Sequence, residues 1–222
     1  MAIQILQEGP SALAEYARVS IAFEVSQTLD VAVPAVDGEP FVMSVRALPV
    51  PLFKNYDANG DGPRTWGVRF DLSKWTFFAA YLDGARVGGA AVAMRAAEIE
   101  LLEGRNDLAL LWDIRVALSA RRHGVGSALM EAVESWASSD GARQIKVETQ
   151  NINIPACRFY YRLGFRLRLI NPHAYPSIPH ETQMLWYKQI DVRNAFDDPL
   201  PRRDDALWTE RVYRVGLNTK AC

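Results

Sequence analysis

Cysteine is scarce in this chain of 222 residues, which carries only Cys157 and Cys222. Two thiols so far apart make neither a disulfide framework nor a metal knuckle, and they suit a reducing compartment. An excess of charge is also missing: 25 Lys and Arg stand against 26 Asp and Glu, for a net charge of −1. A chain without a global positive field is not built to grip a phosphate backbone, so no nucleic-acid partner is expected. Long apolar runs are absent too. The stretch 76–94 is broken by Asp83, Gly84 and Arg86, which leaves no membrane span. Residues 1–10 have neither a basic n-region nor an apolar h-region, so a cytoplasmic location without a signal peptide is expected. Three histidines, His123, His173 and His180, form no pair at helical metal spacing, and no metal site is expected.

What is present reads as a soluble globular enzyme, with 49% hydrophobic and 23% charged residues. Residues 11–18 suggest a short helix opened by a serine cap, and 21–33 a strand. Residues 49–67, rich in Pro, Gly, Asn and Asp, suggest a loop. Residues 75–81 and 87–94 flank Asp83-Gly84, a strong hairpin signal. Residues 108–116 are a nearly continuous apolar run, as expected of a strand covered on both faces. Val125, Ala128, Leu129, Ala132, Val133 and Trp136 then recur at helical spacing up to Asp140-Gly141. Strands follow at 145–149, 165–169 and 184–190, with a helix from Asn153 to Gly164 between the first two. The order gives a mixed α/β sheet in one domain spanning 1–190. Residues 191–222 form a C-terminal extension, a helix or an arm onto a second copy of the chain.

The informative segment is Val116-Ala117-Leu118-Ser119-Ala120-Arg121-Arg122-His123-Gly124-Val125-Gly126-Ser127. A buried strand ends, the chain turns, and two glycines open a long helix. Such a turn leaves backbone N–H groups unpaired at the positive end of the helix dipole, an anion site suited to a pyrophosphate. Arg121 and Arg122 add charge beside it. A dinucleotide fingerprint would need a third glycine where Leu129 stands, and a P-loop would need Gly-Lys-Ser/Thr. The remaining alternative is that the glycines only permit tight helix–strand packing.

Arg121-x-x-Gly124-x-Gly126 after the strand ending at Val116 resembles the acyl-CoA-binding motif of the GNAT acetyltransferase superfamily. Asn153-x-x-Ala156-x-x-Phe159-Tyr160-x-x-x-Gly164-Phe165 resembles a second block of the same superfamily, in the right order. The likeness covers residues 11–190. It implies an α/β, single-domain GNAT fold with a mixed central sheet and helices on both faces, and acetyl-CoA as co-substrate. By the same resemblance, Ile114 and Val116 offer backbone N–H groups to the pantetheine and thioester. Arg121, Arg122, His123, Gly124, Val125, Gly126 and Ser127 hold the pyrophosphate, and Asn153 contacts the pantetheine arm. Tyr160 matches the tyrosine that protonates the leaving sulfur, a task suited to a phenol of pKa about 10.

Glu148 and Asp113 are the candidate bases. Glu148 lies on the polar side of its strand, where pairing with Lys146 or an arginine is the alternative. Asp113 sits in so apolar a run that its carboxylate needs a partner. The segment 148–160, Asp113-Ile114, Tyr175 and Glu181 also resemble streptothricin acetyltransferases, a subgroup that confers antibiotic resistance. This chain departs from that subgroup by placing Trp112 where a Glu is usual, and Asn171-Pro172 where Asp-Thr is favoured. The implied partner is a small-molecule amine; separately, Leu207, Trp208, Val212, Tyr213 and Val215 of the extension need burial, and a homodimer is expected to supply it. Protein or peptide amines, and a non-catalytic acyl-CoA-binding sensor, are the alternatives.

Two further signals are discounted. Asp57-x-Asn59-x-Asp61-Gly62 imitates a calcium loop, but Val68 stands where a bidentate Glu is required. Cys157 opens a helix whose dipole could lower its pKa; with no histidine near in sequence, packing is the expectation.

Overall fold

A computed structural model describes residues 2–32, 41–190 and 213–215. They divide into two compact units, each assembled from segments distant in sequence. The first holds residues 2–24, 53–147 and 189–190, and the second 25–32, 41–52, 148–188 and 213–215.

The first unit is built on an antiparallel core. Strands β1 (Ile3–Glu8), β4 (Trp75–Leu82), β5 (Ala85–Met94) and β6 (Leu108–Val116) lie in that order. The first half of β7 (Gln144–Gln150) joins β6 in parallel. The β4–β5 hairpin turns through Asp83 and Gly84 at φ 47 and 82, the two left-handed positions of a type I′ turn. Asp83 also anchors β1: its carboxylate accepts from Ala2 N at 2.9 Å, and its own N–H donates to Ala2 O at 3.1 Å.

Helix α3 (Val125–Ser139) buries Val125, Leu129, Met130, Val133 and Ala137. Burial of each larger side chain contributes roughly 1.5–3 kcal/mol, and Gly141 ends the element at φ 88. Helix α1 (Leu13–Tyr16) carries Tyr16, which is 1% exposed. The two helices cover opposite faces. A Cβ on Gly88 would lie 3.4 Å from Leu129 Cδ1 of α3, and a Cβ on Gly89 only 2.5 Å from Tyr16 Cε2. Successive strand residues point to opposite faces, so α3 and α1 sandwich β5.

The sequence expectation of a loop over 49–67 does not hold. Strand β3 (Phe41–Lys54) runs through Pro49 and Pro51, and α2 (Pro63–Arg69) follows a short 3-10 turn. Two prolines two residues apart turn their nitrogens to the same flank, which a partly uncovered strand tolerates. Pro63 takes the first helical position, where its missing N–H costs nothing. Trp66 of α2 is 2% exposed and packs on Tyr16 and Trp75, with centroids 5.8 Å apart in each pair. The serine cap near residue 11 is also not formed: Gly9 precedes a 3-10 turn that opens on Pro10.

In the second unit, β3 lies between β2 (Phe23–Ala32) and β10 (Tyr213–Val215). Tyr213 faces Met43, and the rest of the predicted tail falls outside the described residues. The second half of β7, β9 (Gln183–Gln189) and β8 (Arg166–Asn171) form the unit's other ladder, with α4 (Ile154–Arg162) packed on β8. Buried Asn151 ties the unit together. Its amide nitrogen donates to Leu29 O at 2.9 Å and Thr28 Oγ1 at 3.3 Å, while its Oδ1 accepts from Thr182 N at 2.8 Å.

Candidate active site

The glycine turn belongs to the first unit. Ladder β5–β6 slips register between Ala91 and Val92, which makes Trp112 the extra residue of a bulge. Beyond it, Ala117 N donates to Val87 O at 2.7 Å. Backbone groups alternate sides along a strand, so Asp113, Arg115 and Ala117 direct theirs toward β5. Ile114 and Val116 direct theirs to the other side, where the parallel ladder to β7 ends at the pair Leu111–Val147. The two residues singled out for pantetheine thus carry N–H groups on the flank of β6 beyond that ladder.

Past β6 the chain makes one 3-10 turn, and Arg122 and Gly124 adopt left-handed φ values of 64 and 86. Gly124 caps α3 without a side chain, and no acidic residue stands in the first turn. Donors at Val125, Gly126 and Ser127 therefore have no side-chain acceptor within the cap. Arg122, His123 and Gly124 are exposed. The Arg121 guanidinium donates to Val116 O at 2.9 Å and Ala22 O at 2.8 Å. It braces the end of β6 from the side, and burial pulls its pKa down.

Asp113 has the partner that its apolar surroundings demand. Arg115 Nε and Nη2 donate to its two oxygens at 2.9 and 2.7 Å, and Tyr16 Oη donates at 2.6 Å. Arg115 also reaches Asp57 at 2.9 Å and Val19 O at 3.0 Å. Burial, the largest single influence, pulls the guanidinium down, but the Asp113 charge and hydrogen bond together with Tyr16 and Asp57 outweigh it and hold its pKa above the ordinary value. The Tyr16 phenol is raised by burial first and by Asp113 second. Both Asp113 oxygens face a permanent cation, a poor position from which to collect a proton from an amine. The calcium-like stretch thus supplies Asp57 as an arginine partner, and among the described residues no cluster suits a metal ion.

Trp112 packs against Phe70 and Trp75, with centroids 5.0 and 5.2 Å apart. An aromatic wall stands where the resemblance would place a carboxylate.

Glu148 belongs to the second unit and is surrounded by neutral donors. Tyr175 Oη donates to Oε1 at 2.5 Å and Gln183 Nε2 to Oε2 at 2.6 Å, with Gln150 Nε2 at 3.3 Å from Oε1. Pairing with Lys146 does not occur. Lys146 is buried and bonds instead to Glu103 at 2.7 Å and Leu101 O at 2.8 Å, because β7 is covered on both faces. Burial first, and the Glu148 charge second, push the Tyr175 pKa well up.

Helix α4 carries the remaining candidates. Asn153 caps it, its Oδ1 accepting from Ala156 N at 3.2 Å. Tyr160 is 3% exposed, with the rings of Phe159 and Phe165 at 5.3 and 5.4 Å. Cys157 is fully buried beside Thr149 Oγ1 at 3.4 Å, and burial pushes its thiol up to about 12. Packing, the expected role, prevails over activation by the helix dipole. Glu181 is buried as well. Sequence reasoning missed Tyr16, Asp57, Arg115 and Gln183. Of these only Arg115, a cation inside an apolar strand beside Asp113, carried a local signal.

The sequence profile of the acetyltransferase (GNAT) family matches residues 48–165. A streptothricin acetyltransferase of Escherichia coli is 36% identical over 113 residues, covering 50% of this chain and 60% of that protein. Streptothricin acetyltransferase A of Bacillus subtilis is 35% identical over 91 residues, covering 40% and 53%. The chain thus spans a little over half the length of these two relatives. A Bacillus anthracis protein solved in complex with acetyl coenzyme A superposes with a TM-score of 0.67 at 22% identity, over 86% of this chain and all of that one. At that identity the likeness speaks for the fold.

Proposed function

We propose that this chain, which belongs to the acetyltransferase (GNAT) family, moves an acetyl group from acetyl-CoA to a primary amine of a small molecule. The observation that carries the reading is the end of β6. Ile114 and Val116 present backbone donors outside the β5 ladder, and the chain then enters α3 through a left-handed glycine with no competing acid. Those features fit the two anionic and amide-rich parts of acetyl-CoA: the pantetheine lies along the donors, and the pyrophosphate sits at the first turn of α3. Arg122 and His123 flank that turn, Arg121 braces the end of β6 before it, and the family resemblance assigns Asn153, the cap of α4, to the pantetheine arm.

The acceptor nitrogen attacks the thioester carbonyl carbon, the new C–N bond forms, and the C–S bond breaks. Glu148 takes the proton that the nitrogen sheds, and the Tyr160 hydroxyl gives one to the departing sulfur. Asp113 keeps a structural role, fixing the strand that carries Ile114.

A streptothricin-type antibiotic is the leading acceptor, on the strength of the named relatives. Trp112 supports a second reading, in which a different amine is taken, because its ring on Phe70 replaces a carboxylate that would attract a strongly cationic substrate. Incubation with acetyl-CoA and streptothricin, followed by mass spectrometry of the antibiotic, tests the first reading: one added acetyl group is expected. Acetylation of other amines with streptothricin unchanged favours the second, and no acetylated product across an amine panel rejects both.

Residues 1–190 act as one acetyltransferase domain in a reducing, cytoplasmic setting. The scarcity of cysteine, with Cys157 free and buried, supports this reading. A homodimer with residues 191–222 as its arm is the proposed assembly. Its support is the exposure of Val50, Leu52 and Phe53 on β3, at 76%, 47% and 69%.

A further inference from the structure

We propose that Tyr175 is a positioning residue that, together with Gln183, fixes the Glu148 carboxylate for the ammonium of the acceptor. This rests on the reading of Glu148 as the group that takes the amine's proton. Tyr175 lies between β8 and β9, 27 residues from Glu148 in sequence, and nothing in the chemistry of acetyl transfer by itself calls for it.

Each Glu148 oxygen is gripped by one short bond from a neutral donor: Oε1 by Tyr175 at 2.5 Å and Oε2 by Gln183 at 2.6 Å. Gln150 Nε2 closes the ring, donating to Tyr175 Oη at 3.1 Å and to Glu148 Oε1 at 3.3 Å. A carboxylate held by a short bond on each oxygen has its plane fixed; without Tyr175, Oε1 keeps only the longer 3.3 Å contact to Gln150 and the plane is released. Among the described residues no guanidinium or ammonium lies within ion-pairing distance of Glu148. Asp113 is held the opposite way, by a cation on both oxygens. Neutral donors orient a charge without cancelling it. A half-buried carboxylate in that state is completed by a cation supplied from outside, and an incoming ammonium is that cation.

Tyr175 is suited to the task because it remains a donor. Burial first, then the Glu148 charge, and the Glu181 carboxylate last, keep its proton in place across the neutral range. Phe at the position would retain the ring and remove only the bond.

The test is a double-mutant cycle on the full chain with Tyr175→Phe and Glu148→Gln, followed by thiol release from acetyl-CoA with streptothricin, together with the crystal structure of Tyr175→Phe. The expected result is a kcat/KM for the amine lowered roughly 10- to 100-fold by Tyr175→Phe, with the acidic limb of the pH profile displaced and acetyl-CoA affinity unchanged. In the Glu148→Gln background the same change should do little more, and the crystal structure should show the carboxylate turned. An equal loss in both backgrounds overturns the positioning role while leaving Glu148 as the acceptor. Full turnover by Glu148→Gln overturns the underlying reading. A Glu148 carboxylate unmoved in Tyr175→Phe overturns the proposal whatever the acceptor proves to be.

Discussion

At the scale of single residues, Asp113 and Glu148 show how surroundings divide work between two carboxylates on neighbouring central strands. Asp113 is locked to Arg115, whose side chain is 1% exposed. Removing its charge leaves a buried guanidinium with only the more exposed Asp57 as counter-ion. Asp113→Asn should therefore lower unfolding free energy by about 3 kcal/mol, read from urea denaturation, beyond any effect on turnover. Glu148→Gln should leave stability nearly unchanged and lower turnover about 10²-fold or more, to a residual rate that is still measurable. Cys157 makes a prediction in pH. Burial pushes the thiol up from its ordinary 9.0 to about 12, so its stabilising share is complete below about pH 9 and is lost as pH rises toward 12. Cys157→Ala should flatten the first part of the alkaline loss in a urea titration series. An unchanged slope would contradict the assignment.

At the scale of elements, the backbone at the turn is what the chemistry depends on. Gly124 stands at φ 86, where an L side chain is strained by roughly 1 kcal/mol or more. Gly124→Ala should weaken acetyl-CoA binding in calorimetry, with stability reduced by a similar small amount. The hairpin, β6, the turn, α3, β7 and α4 were legible in the sequence because each has a full period of apolar residues and a local terminator. Strand β3 and helix α2 were not. Pro49 and Pro51 argue for loop by local rules, yet both lie within β3. Gly62-Pro63 likewise reads as a turn, although proline at the first helical position is equally a helix start. Strand β1 needs β4 beside it to be recognised: Gly9-Pro10 closes it, but Ile3 to Glu8 carries only a short apolar alternation. The site divided in the same way. Ile114, Val116 and the glycines follow from chain order, whereas Tyr16 on Asp113 and Tyr175 and Gln183 on Glu148 come from residues 27 to 97 positions away, a distance that no local pattern spans.

At the scale of the whole molecule, the two compact units interleave in sequence, in keeping with the proposed single catalytic domain over residues 1–190, and residues 191–222 are the proposed assembly arm. Gel filtration of the full chain and of a chain ending at residue 190 should give a dimer and a monomer respectively; unchanged mass on truncation would remove the arm from the account. The central claim is acetyl transfer from acetyl-CoA with Tyr160 as the proton donor, and one measurement addresses it most directly. Thiol release from acetyl-CoA should be followed with streptothricin and then with a panel of primary amines, for the native chain and for Tyr160→Phe. The account predicts release by the native chain and a loss of about 10²- to 10⁴-fold in the variant, with acetyl-CoA binding retained. Acetyl-CoA binding without thiol release for any amine would contradict it, and leave a protein that senses the cofactor without using it.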